Sequence, residues 1–303
     1  PWWTATARRA VIVLPATTPF EREDIGRAAS DSYLFYMPKL IEPIGEARDD
    51  YTIFSALASR LGNEKNFTEG RDSDQWLRYL YAQFFENAAS MDIEIPSYDQ
   101  LKEINWVELP IRVSDHDGIA LKDFRDNPKT NPLGTPSGKI EIFSETINGF
   151  NYKDISGHPI WKAPDEWLGG IKKNKYKIHL VSPQPRDKLH SQLEPAIADS
   201  LGCRPVEAIV NELDADEKGI LNYDTIRVFN DRGSCLATAV ISRDIRRGVM
   251  SIPTGAWFEI DPNGIDKNGN PNILTRDIGT SKIGQGSTAH TTLVDIERWL
   301  PQN

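Results

Sequence analysis

Two helices are predicted early in the chain from apolar positions spaced three and four residues apart. The first spans residues 51–61, where Asp49 and Asp50 can serve as N-caps and Gly62 can end the helix. Its apolar face consists of Ile53, Phe54, Leu57, Ala58 and Leu61. The second is expected to be capped by Ser73, with an apolar stripe of Trp76, Leu77, Leu80, Tyr81 and Phe84. Stripes of this kind are typical of helices packed against a core.

The hydrophobic pattern changes after residue 176, where short apolar runs alternate with tight turns. The predicted strands are IHLVS, EAIV, DTIRVF, CLATAVIS and VMSIP. NDRG (230–233) is predicted to be a hairpin turn, and LDADEKGI (213–220) a single short helix. Many short strands around one helix favour a closed barrel. We place a domain boundary near 160–172, in a connection rich in proline, glycine and tryptophan.

The first residues already contain a buried-strand pattern. VIVLP predicts a strand over Val11–Leu14. Such a strand needs neighbours, and little chain precedes it to provide them. The start also lacks a methionine, a basic segment and the apolar core of a signal peptide. We therefore expect this chain to be the later part of a longer polypeptide.

Two loops suggest ligand sites but match the known patterns poorly. SDHDG (114–118) offers acidic and imidazole ligands, yet it lacks the ligand spacing and the distal glutamate of a calcium loop. GTPSGK (134–139) has three residues, not four, between its glycines, and Ile140 where a phosphate loop has serine or threonine. We interpret it as a turn leading into a strand over Lys139–Phe143.

The composition argues against several classes of function. The 303 residues are 39% hydrophobic and 26% charged and include eight tryptophans, which indicates a folded chain with a substantial core. A net charge of −9 argues against non-specific binding of nucleic acid. No apolar run approaches the length of a membrane span. Cys203 and Cys235 are too far apart for a metal knuckle; they could pair with each other, but we favour two lone buried thiols.

The segment SPQPRDKLHSQL (182–193) concentrates hydrogen-bonding side chains directly after a predicted strand. Its two prolines end the ladder, because proline has no N–H to donate. A solvated turn would explain the segment, and so would a binding site for a large, polar, anionic ligand. The residues alone leave both interpretations open.

A series of motifs in a fixed order resembles one family. Upstream lie PWWTATARRAVIVLPATTPFERED and NPLGTPSGKIEIFSETI; downstream lie SPxPxxxLHSQL, DTIRVFNDRG, GVMSIPTGAW, NPNILTRDIGTSKIGQG and AHTTLVDIERW. Together they resemble the molybdopterin enzymes that reduce dimethyl sulfoxide, trimethylamine N-oxide and biotin sulfoxide. KLHSQL and AHTTLVDIERW are less similar to formate dehydrogenases or nitrate reductases. The resemblance extends over nearly the whole chain, except for a variable region around residues 60–130.

The resemblance implies a fold and a cofactor. Residues 1–165 would be the C-terminal part of an α/β (Rossmann-like) domain, and residues 166–303 a six-stranded double-psi β-barrel that binds molybdopterin dinucleotide. The cofactor would be bis(molybdopterin guanine dinucleotide)molybdenum. The serine that ligates the metal in this family belongs to the N-terminal half of a full-length member, so this chain would contain no catalytic residue and no metal ligand.

The resemblance also assigns binding residues. His190 matches the family's pterin-contacting histidine, Asn272 the asparagine before the GTS segment, and Ala289–His290 the dipeptide shortly after that segment. The remaining candidates come from the polar segment after the strand: Ser182, Gln184, Arg186, Ser191 and Gln192. Related reductases often have histidine at position 184, and a neutral amide there cannot relay a proton at neutral pH. Lys188, Thr280, Ser281 and Trp257 are further candidates; for Lys188 a surface position, and for Trp257 core packing, are the alternatives.

The implied activity is the reduction of an S-oxide or N-oxide by transfer of its oxygen atom to Mo(IV), as in anaerobic respiration. The implied partners are the small-molecule substrate, an electron donor such as a c-type cytochrome, and the remainder of the same polypeptide. The periplasm is favoured over the cytoplasm, although any export signal would lie upstream. The alternative is a non-catalytic module that binds molybdopterin or docks onto a separate catalytic chain.

Overall fold

The computed structural model describes residues 2–28, 32–110, 119–194 and 205–300. The chain forms two compact units, Pro1–Leu133 and Gly134–Asn303. The division therefore comes earlier in the chain than the boundary predicted between residues 165 and 166. The physical reason is that the segment before residue 166 is bonded to the second unit: Asp154 accepts a hydrogen bond from the Lys282 backbone at 2.8 Å. The assignment of residues 166–303 to one family domain stays a prediction.

The first unit combines five helices with a small sheet in its described part. The helices are α1 (Asp50–Arg60), α2 (Glu64–Thr68), α3 (Ser73–Ala89), α4 (Tyr98–Ile104) and α5 (Lys122–Asp126), with short 3₁₀ turns at Ala7–Arg9 and Pro19–Glu21. The strands are β1 (Asp24–Gly26), β2 (Tyr33–Met37) and β3 (Trp106–Glu108), with β2 in the middle and both pairs antiparallel. The mixed α/β composition is confirmed. The described residues of this unit show only this antiparallel sheet, not the parallel sheet of a Rossmann-like domain.

Both helices predicted from the periodicity are present, and one cap differs. Asp49 caps α1 as predicted, since its side chain accepts from the backbone of Thr52. The cap of α3 is Asp72, not Ser73. Asp72 accepts from the Gln75 backbone while the Gln75 side chain accepts from the Asp72 backbone. This reciprocal pair satisfies two N–H groups at once, which a serine one position later would not do.

The core of the first unit is rich in tyrosine. Its buried residues are Leu34, Tyr36, Tyr81, Tyr98, Leu101 and Leu109. Tyr81, on the predicted stripe of α3, is 2% exposed. By contrast the predicted face of α1 leaves Phe54, Leu57 and Leu61 exposed. Tyr81, Leu77 and Phe84 of the α3 stripe thus belong to the core, whereas Leu80 and most of the predicted face of α1 are exposed.

The predicted strand over Val11–Leu14 is wrong for the described structure. None of its four residues belongs to a strand, and Val11 is fully exposed. A strand requires a partner for its backbone groups, and no described residue pairs with this segment. The apolar run alone could not reveal whether such a partner was available.

The second unit contains the short strands predicted from the alternation. These are β4 (Ile178–Val181), β5 (Glu207–Asn211), β6 (Thr225–Phe229), β7 (Ser234–Ser242) and β8 (Val249–Ser251). Two further strands, β9 (Ile265–Asp266) and β10 (Thr292–Arg298), were not among the predicted ones. Two helices, α6 (Glu145–Gly149) and α7 (Glu212–Glu217), and 3₁₀ turns at Ile171–Asn174 and Pro271–Ile273 complete its described elements. The hairpin turn 230–233 is confirmed, with β6 and β7 antiparallel on either side.

The strand predicted over Lys139–Phe143 is wrong. The glycine-rich turn before it is present, closed by a hydrogen bond from the Gly138 backbone to the Thr135 carbonyl at 2.9 Å. Ile140 and Ile142 are exposed and lie in no strand. The alternation of polar and apolar residues is there, but no described strand lies alongside to pair with it.

Six of the strands close into a barrel. The sheet has the order β5-β8-β4-β10-β6-β7-β9, and an additional pairing of β5 with β7 joins its ends, leaving β9 attached outside the ring. The pairs β4–β8 and β5–β7 are parallel, and the other pairs of the ring are antiparallel. Both parallel pairs require crossing connections. The closed ring confirms the predicted six-stranded double-psi barrel.

The barrel interior is a continuous apolar core. Ile178, Leu180, Val210, Val228 and Met250 come from four different strands, and each is at most 2% exposed. Burial alternates along β4 and β6, as expected for strands with one face toward the core. Cys235 is buried in this core, as predicted for one of the two thiols. Cys203 and SDHDG (114–118) lie outside the described residues.

Candidate cofactor-binding site at one end of the barrel

The strand directions bring all the candidate segments to one end of the barrel. In the register, Val181 lies opposite Ser251 and Leu180 opposite Thr292, so β4 and β8 end where β10 begins. β6 ends and β7 begins at the same level, at the turn 230–233. The segments 182–194, 252–257 and 287–291 therefore emerge together. This common end is called the site end below.

Ser182 and His290 are in direct contact at the site end. The Ser182 backbone N–H donates to Nδ1 of His290 at 3.4 Å. The His290 carbonyl accepts from Nε2 of His179 at 2.6 Å. Ser182 is buried, and its hydroxyl has no hydrogen-bond partner within the described residues. A buried hydroxyl left unpaired costs roughly 1–3 kcal/mol, so a polar ligand atom at this position would be stabilising.

The segment containing His190 is packed closely on the segment that leaves β8. A Cβ atom at Gly255 would lie 1.9 Å from the His190 carbonyl oxygen, and Gly255 has φ of +98°. Only glycine fits both this approach and this conformation. The indole of Trp257 donates to the Ser191 carbonyl at 2.9 Å. Trp257 thus stabilises the segment 190–191 through its indole N–H. The amino-acid sequence had suggested a cofactor contact or core packing for Trp257, but not this role.

The side chains between Ser182 and His190 differ in their surroundings. Gln184 is exposed, and its Oε1 lies 3.2 Å from the Thr254 hydroxyl, which donates to it. Arg186 is exposed and pairs with no carboxylate among the described residues. Lys188 is only 6% exposed at its side chain and pairs with Glu194, which corrects the surface alternative. Of the two cations, Arg186 is the one available to an anionic ligand.

Asn272 lies at the site end with its side chain free of hydrogen bonds to the described residues. It belongs to the 3₁₀ turn Pro271–Ile273, which is capped by Asn270. The Asx-turn here is made by Asn270, which accepts from the Asn272 backbone at 2.9 Å and donates to the Ala256 carbonyl at 2.8 Å. Asn270 therefore connects the segment of Asn272 to the segment of Trp257. A single cavity bordered by His190, Asn272 and His290 stays a prediction.

The glycine-rich loop between Asn272 and His290 is stabilised by its own hydroxyls. Thr280 Oγ1 accepts from the Gly286 backbone at 3.1 Å, and Ser281 Oγ accepts from the Gly284 backbone at 2.8 Å. Lys282 is anchored to Asp154 through its backbone. The hydroxyls of Thr280 and Ser281 thus shape the loop, which weakens their interpretation as ligand contacts.

The other candidates contribute mainly backbone contacts. The Ala289 carbonyl accepts from the Thr292 hydroxyl at 3.1 Å, which fixes the turn before β10. The Gln192 backbone donates to the Leu189 carbonyl at 3.0 Å, and its side chain is exposed. Sequence reasoning had grouped these residues with the ligand contacts because it could not separate backbone roles from side-chain roles.

A buried ion pair braces the site end. The Arg232 guanidinium donates to both carboxylate oxygens of Glu166, at 2.7 and 2.9 Å, and to the Leu274 carbonyl at 2.7 Å. Glu166 also accepts from the Leu293 backbone at 3.1 Å. Burial of Glu166 opposes its ionisation, but the bonds from Arg232 and Leu293 outweigh it, so its pKa is lowered. Nothing in the amino-acid pattern indicated this pair, apart from a polar hairpin turn at 230–233.

Asp266 organises the strands and turns behind Trp257. It is 0% exposed and accepts from the backbones of Glu259 and Asn270, at 2.8 and 2.7 Å. Burial raises its pKa, and the backbone donors only partly offset that effect. Its segment, DPNGIDKNGNPN, has turn composition, but nothing in that composition singled out this carboxylate as buried.

The arrangement suits a polar heterocycle with an anionic extension. The site end offers the unpaired Ser182 hydroxyl, the exposed imidazoles of His190 and His290, the amide of Asn272 and the Arg186 guanidinium. These groups can donate and accept hydrogen bonds and neutralise one anion. No cluster of three or more metal-ligating side chains occurs in the described ranges. Within those ranges, no helix combines the length and the apolar composition needed to cross a membrane.

Comparison with known proteins identifies the family. Residues 178–293 match the molydopterin dinucleotide binding domain, and residues 1–60 match the molybdopterin oxidoreductase family. Strands β4 to β9 and the site end lie within the first match, which ends at the second residue of β10. The chain therefore contains domains of the molybdopterin oxidoreductases, and the matched binding domain supports a molybdopterin cofactor.

The similar curated proteins are S-oxide and N-oxide reductases. Over 98% of this chain, the dimethyl sulfoxide/trimethylamine N-oxide reductase and the biotin sulfoxide reductase of Cereibacter sphaeroides are each 42% identical. Trimethylamine-N-oxide reductase 1 of Escherichia coli K12 is 41% identical over the same share. The chain spans only 37%, 40% and 36% of their lengths, respectively. Acetylene hydratase from Pelobacter acetylenicus shares the fold, with a TM-score of 0.71 and 19% identity over 98% of this chain and 39% of its own.

Proposed function

We propose that this chain forms part of the binding site for bis(molybdopterin guanine dinucleotide)molybdenum in an S-oxide or N-oxide reductase. The observation that supports the proposal best is the buried, unpaired hydroxyl of Ser182 beside His290, at the end of a barrel that matches a dinucleotide-binding domain. The names of the similar proteins support the substrate class.

The residues divide into two roles toward the cofactor. Ser182, His190, His290 and Asn272 would meet the pterin, whose many N–H and C=O groups each need a partner when buried. Arg186 would neutralise part of the pyrophosphate charge, assisted by polar groups of Gln184, Ser191 and Gln192 and by the backbone of Ala289. When bound, the cofactor supplies the oxygen-atom chemistry. The protein residues here position it and limit access of water.

The remaining features of the function are inferred from the family. The electron donor would be a redox protein such as a c-type cytochrome, and the protein would work in the periplasm in anaerobic respiration. Reduction of the oxide consumes two electrons and two protons and releases water, so an external reductant is required. The metal-ligating serine and most of the substrate funnel would come from the remainder of the polypeptide.

Purification of the natural gene product tests the proposal. We expect one molybdenum per polypeptide by mass spectrometry of metals, and two GMP released per molybdenum after acid hydrolysis. Ser182→Ala and His190→Ala should lower both contents, while the matched control His158→Gln, outside the site end, should not. A gene product that contains neither molybdenum nor GMP after anaerobic purification would refute the assignment.

A further inference from the structure

His290 is fixed at both its backbone and its ring. Its carbonyl oxygen accepts from His179 Nε2 at 2.6 Å, and its Nδ1 lies 3.4 Å from the Ser182 backbone nitrogen. A carbonyl oxygen can only accept and a backbone N–H can only donate. It follows that His179 has a hydrogen on Nε2 and that His290 offers a lone pair at Nδ1. The neutral ring of His290 must then have its hydrogen on Nε2.

This Nε2–H group has no partner within the described residues, and the side chain is exposed at the site end. We propose that His179 is a positioning residue that acts together with the Ser182 backbone to fix His290 as an Nε2–H donor. Its acceptor would be an oxygen or ring nitrogen of the molybdopterin dinucleotide, a role that rests on the proposed function. Neither histidine needs a charge for this role.

The position of His179 suits this positioning role, because the side chain is not part of the apolar core. Burial alternates along β4, with Ile178 and Leu180 in the core and His179 on the outer face. The register places Leu293 opposite His179, and the His179 ring reaches the His290 carbonyl in the turn before β10. That turn is otherwise closed by its own residues, through the hydroxyls of Thr291 and Thr292. His179 is thus the side chain that bonds this turn to the neighbouring strand.

The Nε2–H donor of His290 lies beside a second group available to the ligand, the Ser182 hydroxyl. Ser182 supplies its backbone N–H to His290 while its own hydroxyl stays buried and unpaired. If the His290 ring took the other tautomer, Nδ1–H would face the Ser182 N–H, and two donors would oppose each other. The tautomer, the ring orientation and the approach of Ser182 therefore depend on one another.

The tautomer can be measured in the 303-residue chain without cofactor. Long-range ¹H–¹⁵N correlation spectra of histidine-labelled protein report which ring nitrogen is protonated, with the His290 signals assigned by their loss in His290→Gln. We expect Nε2–H in the wild type and a mixture of tautomers in His179→Phe. His179→Gln can still donate to the carbonyl and should restore the wild-type signals. His158→Gln should leave them unchanged.

The wild-type spectrum is decisive even if His179→Phe fails to fold, which circular dichroism would reveal. Protonation of His290 at Nδ1 in the neutral wild type, or an unaltered tautomer in a folded His179→Phe, would overturn the positioning role. His179→Gln keeps the hydrogen bond, so loss of the Nε2–H signal in that variant would also count against it.

The ligand role is tested separately in the natural gene product. Loss of one hydrogen bond should weaken cofactor retention about tenfold in His179→Phe, with recovery in His179→Gln. Full retention in His179→Phe, together with a changed tautomer, would refute the donor role while leaving the proposed function intact. A wild-type product without molybdopterin would instead refute the proposed function, and the donor role with it.

Discussion

Arg232 and Glu166 form a bidentate ion pair, in which both guanidinium–carboxylate distances are below 3 Å and the carboxylate is only 6% exposed. The pair connects the segment before the barrel to the hairpin between β6 and β7. Because Glu166 also accepts from the Leu293 backbone, it is bonded to the last barrel strand as well. One carboxylate thus joins three segments at the site end.

Glu166→Gln should lower the stability of the second unit. The substitution removes the counter-charge of the partly buried Arg232, at a cost on the order of 2–4 kcal/mol. Asp165→Asn is the matched control, since Asp165 is 62% exposed in its pair with Arg276 and such pairs contribute about 0–1 kcal/mol. Urea unfolding followed by tryptophan fluorescence measures both. Equal effects of the two substitutions would contradict the bracing role of Glu166.

The same pair predicts a dependence of stability on pH. The pKa of Glu166 is lowered in the folded protein, because the bonds from Arg232 and Leu293 outweigh burial. Its contribution is therefore present above the pKa of an unfolded glutamate and is lost as the pH falls through the folded value. Glu166→Gln should remove this part of the acid sensitivity. A series of unfolding curves from neutral to acidic pH measures this effect. If wild type and variant lose the same stability as the pH falls, Glu166 makes no contribution to the acid sensitivity.

Gly255→Ala should disrupt the segment of His190. The new methyl group would lie 1.9 Å from the His190 carbonyl, in addition to the strain of a positive φ. Gly264→Ala isolates the strain, because Gly264 also has positive φ, +82°, with no atom within 4 Å of the added carbon. We expect about 1 kcal/mol for Gly264→Ala and at least twice that for Gly255→Ala. Thermal unfolding compares the two variants, and similar midpoints would argue against the close approach.

Asp266→Asn tests the buried carboxylate behind Trp257. An amide has one acceptor oxygen, so its NH₂ group would face a backbone donor that Asp266 now satisfies, at a cost of roughly 1–3 kcal/mol. Because the folded pKa of Asp266 is raised, its contribution weakens as the pH rises through that value, and the variant should lack this change. A variant as stable as the wild type at neutral pH would mean that relief of the buried charge compensates fully.

The 303-residue chain alone should reduce no sulfoxide. It spans 40% or less of the lengths of the similar reductases compared above, and the resemblance places the metal-ligating serine outside it. The measurement is oxidation of reduced methyl viologen with dimethyl sulfoxide, trimethylamine N-oxide and biotin sulfoxide. Turnover by a homogeneous preparation of the chain would contradict this expectation.

Local patterns predicted the barrel well and the first unit less well. Alternation identified five of the six barrel strands, all but β10, because each has one face in a core that the same strands build. Val11–Leu14 and Lys139–Phe143 have equally good patterns, but a strand also needs a backbone partner, and a pattern gives no information about partners. The cap of α3 moved by one residue because Asp72 and Gln75 satisfy each other, a pairing that single-residue preferences do not weigh.

At the candidate site, the sequence identified the segments better than the roles within them. Ser182 and His290 were both named, but their contact follows from β4 and β10 being neighbours in the closed ring. Thr280 and Ser281 have ligand-like chemistry, and the loop uses it internally. Glu166 and Asp266 act through burial, which depends on packing across distant segments and leaves no local signature.

The neighbouring position of β4 and β10 also determines when the site can form during synthesis. β4 is the first strand of the barrel and β10 the last, and β10 lies between β4 and β6. Ser182 therefore has no His290 to bind until the chain has been translated through that final strand. Ring closure between such distant segments is slow compared with local folding. A ribosome-bound chain that ends before Thr292 would thus hold an open sheet with exposed edges at β4 and β6, and the candidate site could form only after β10 has joined them.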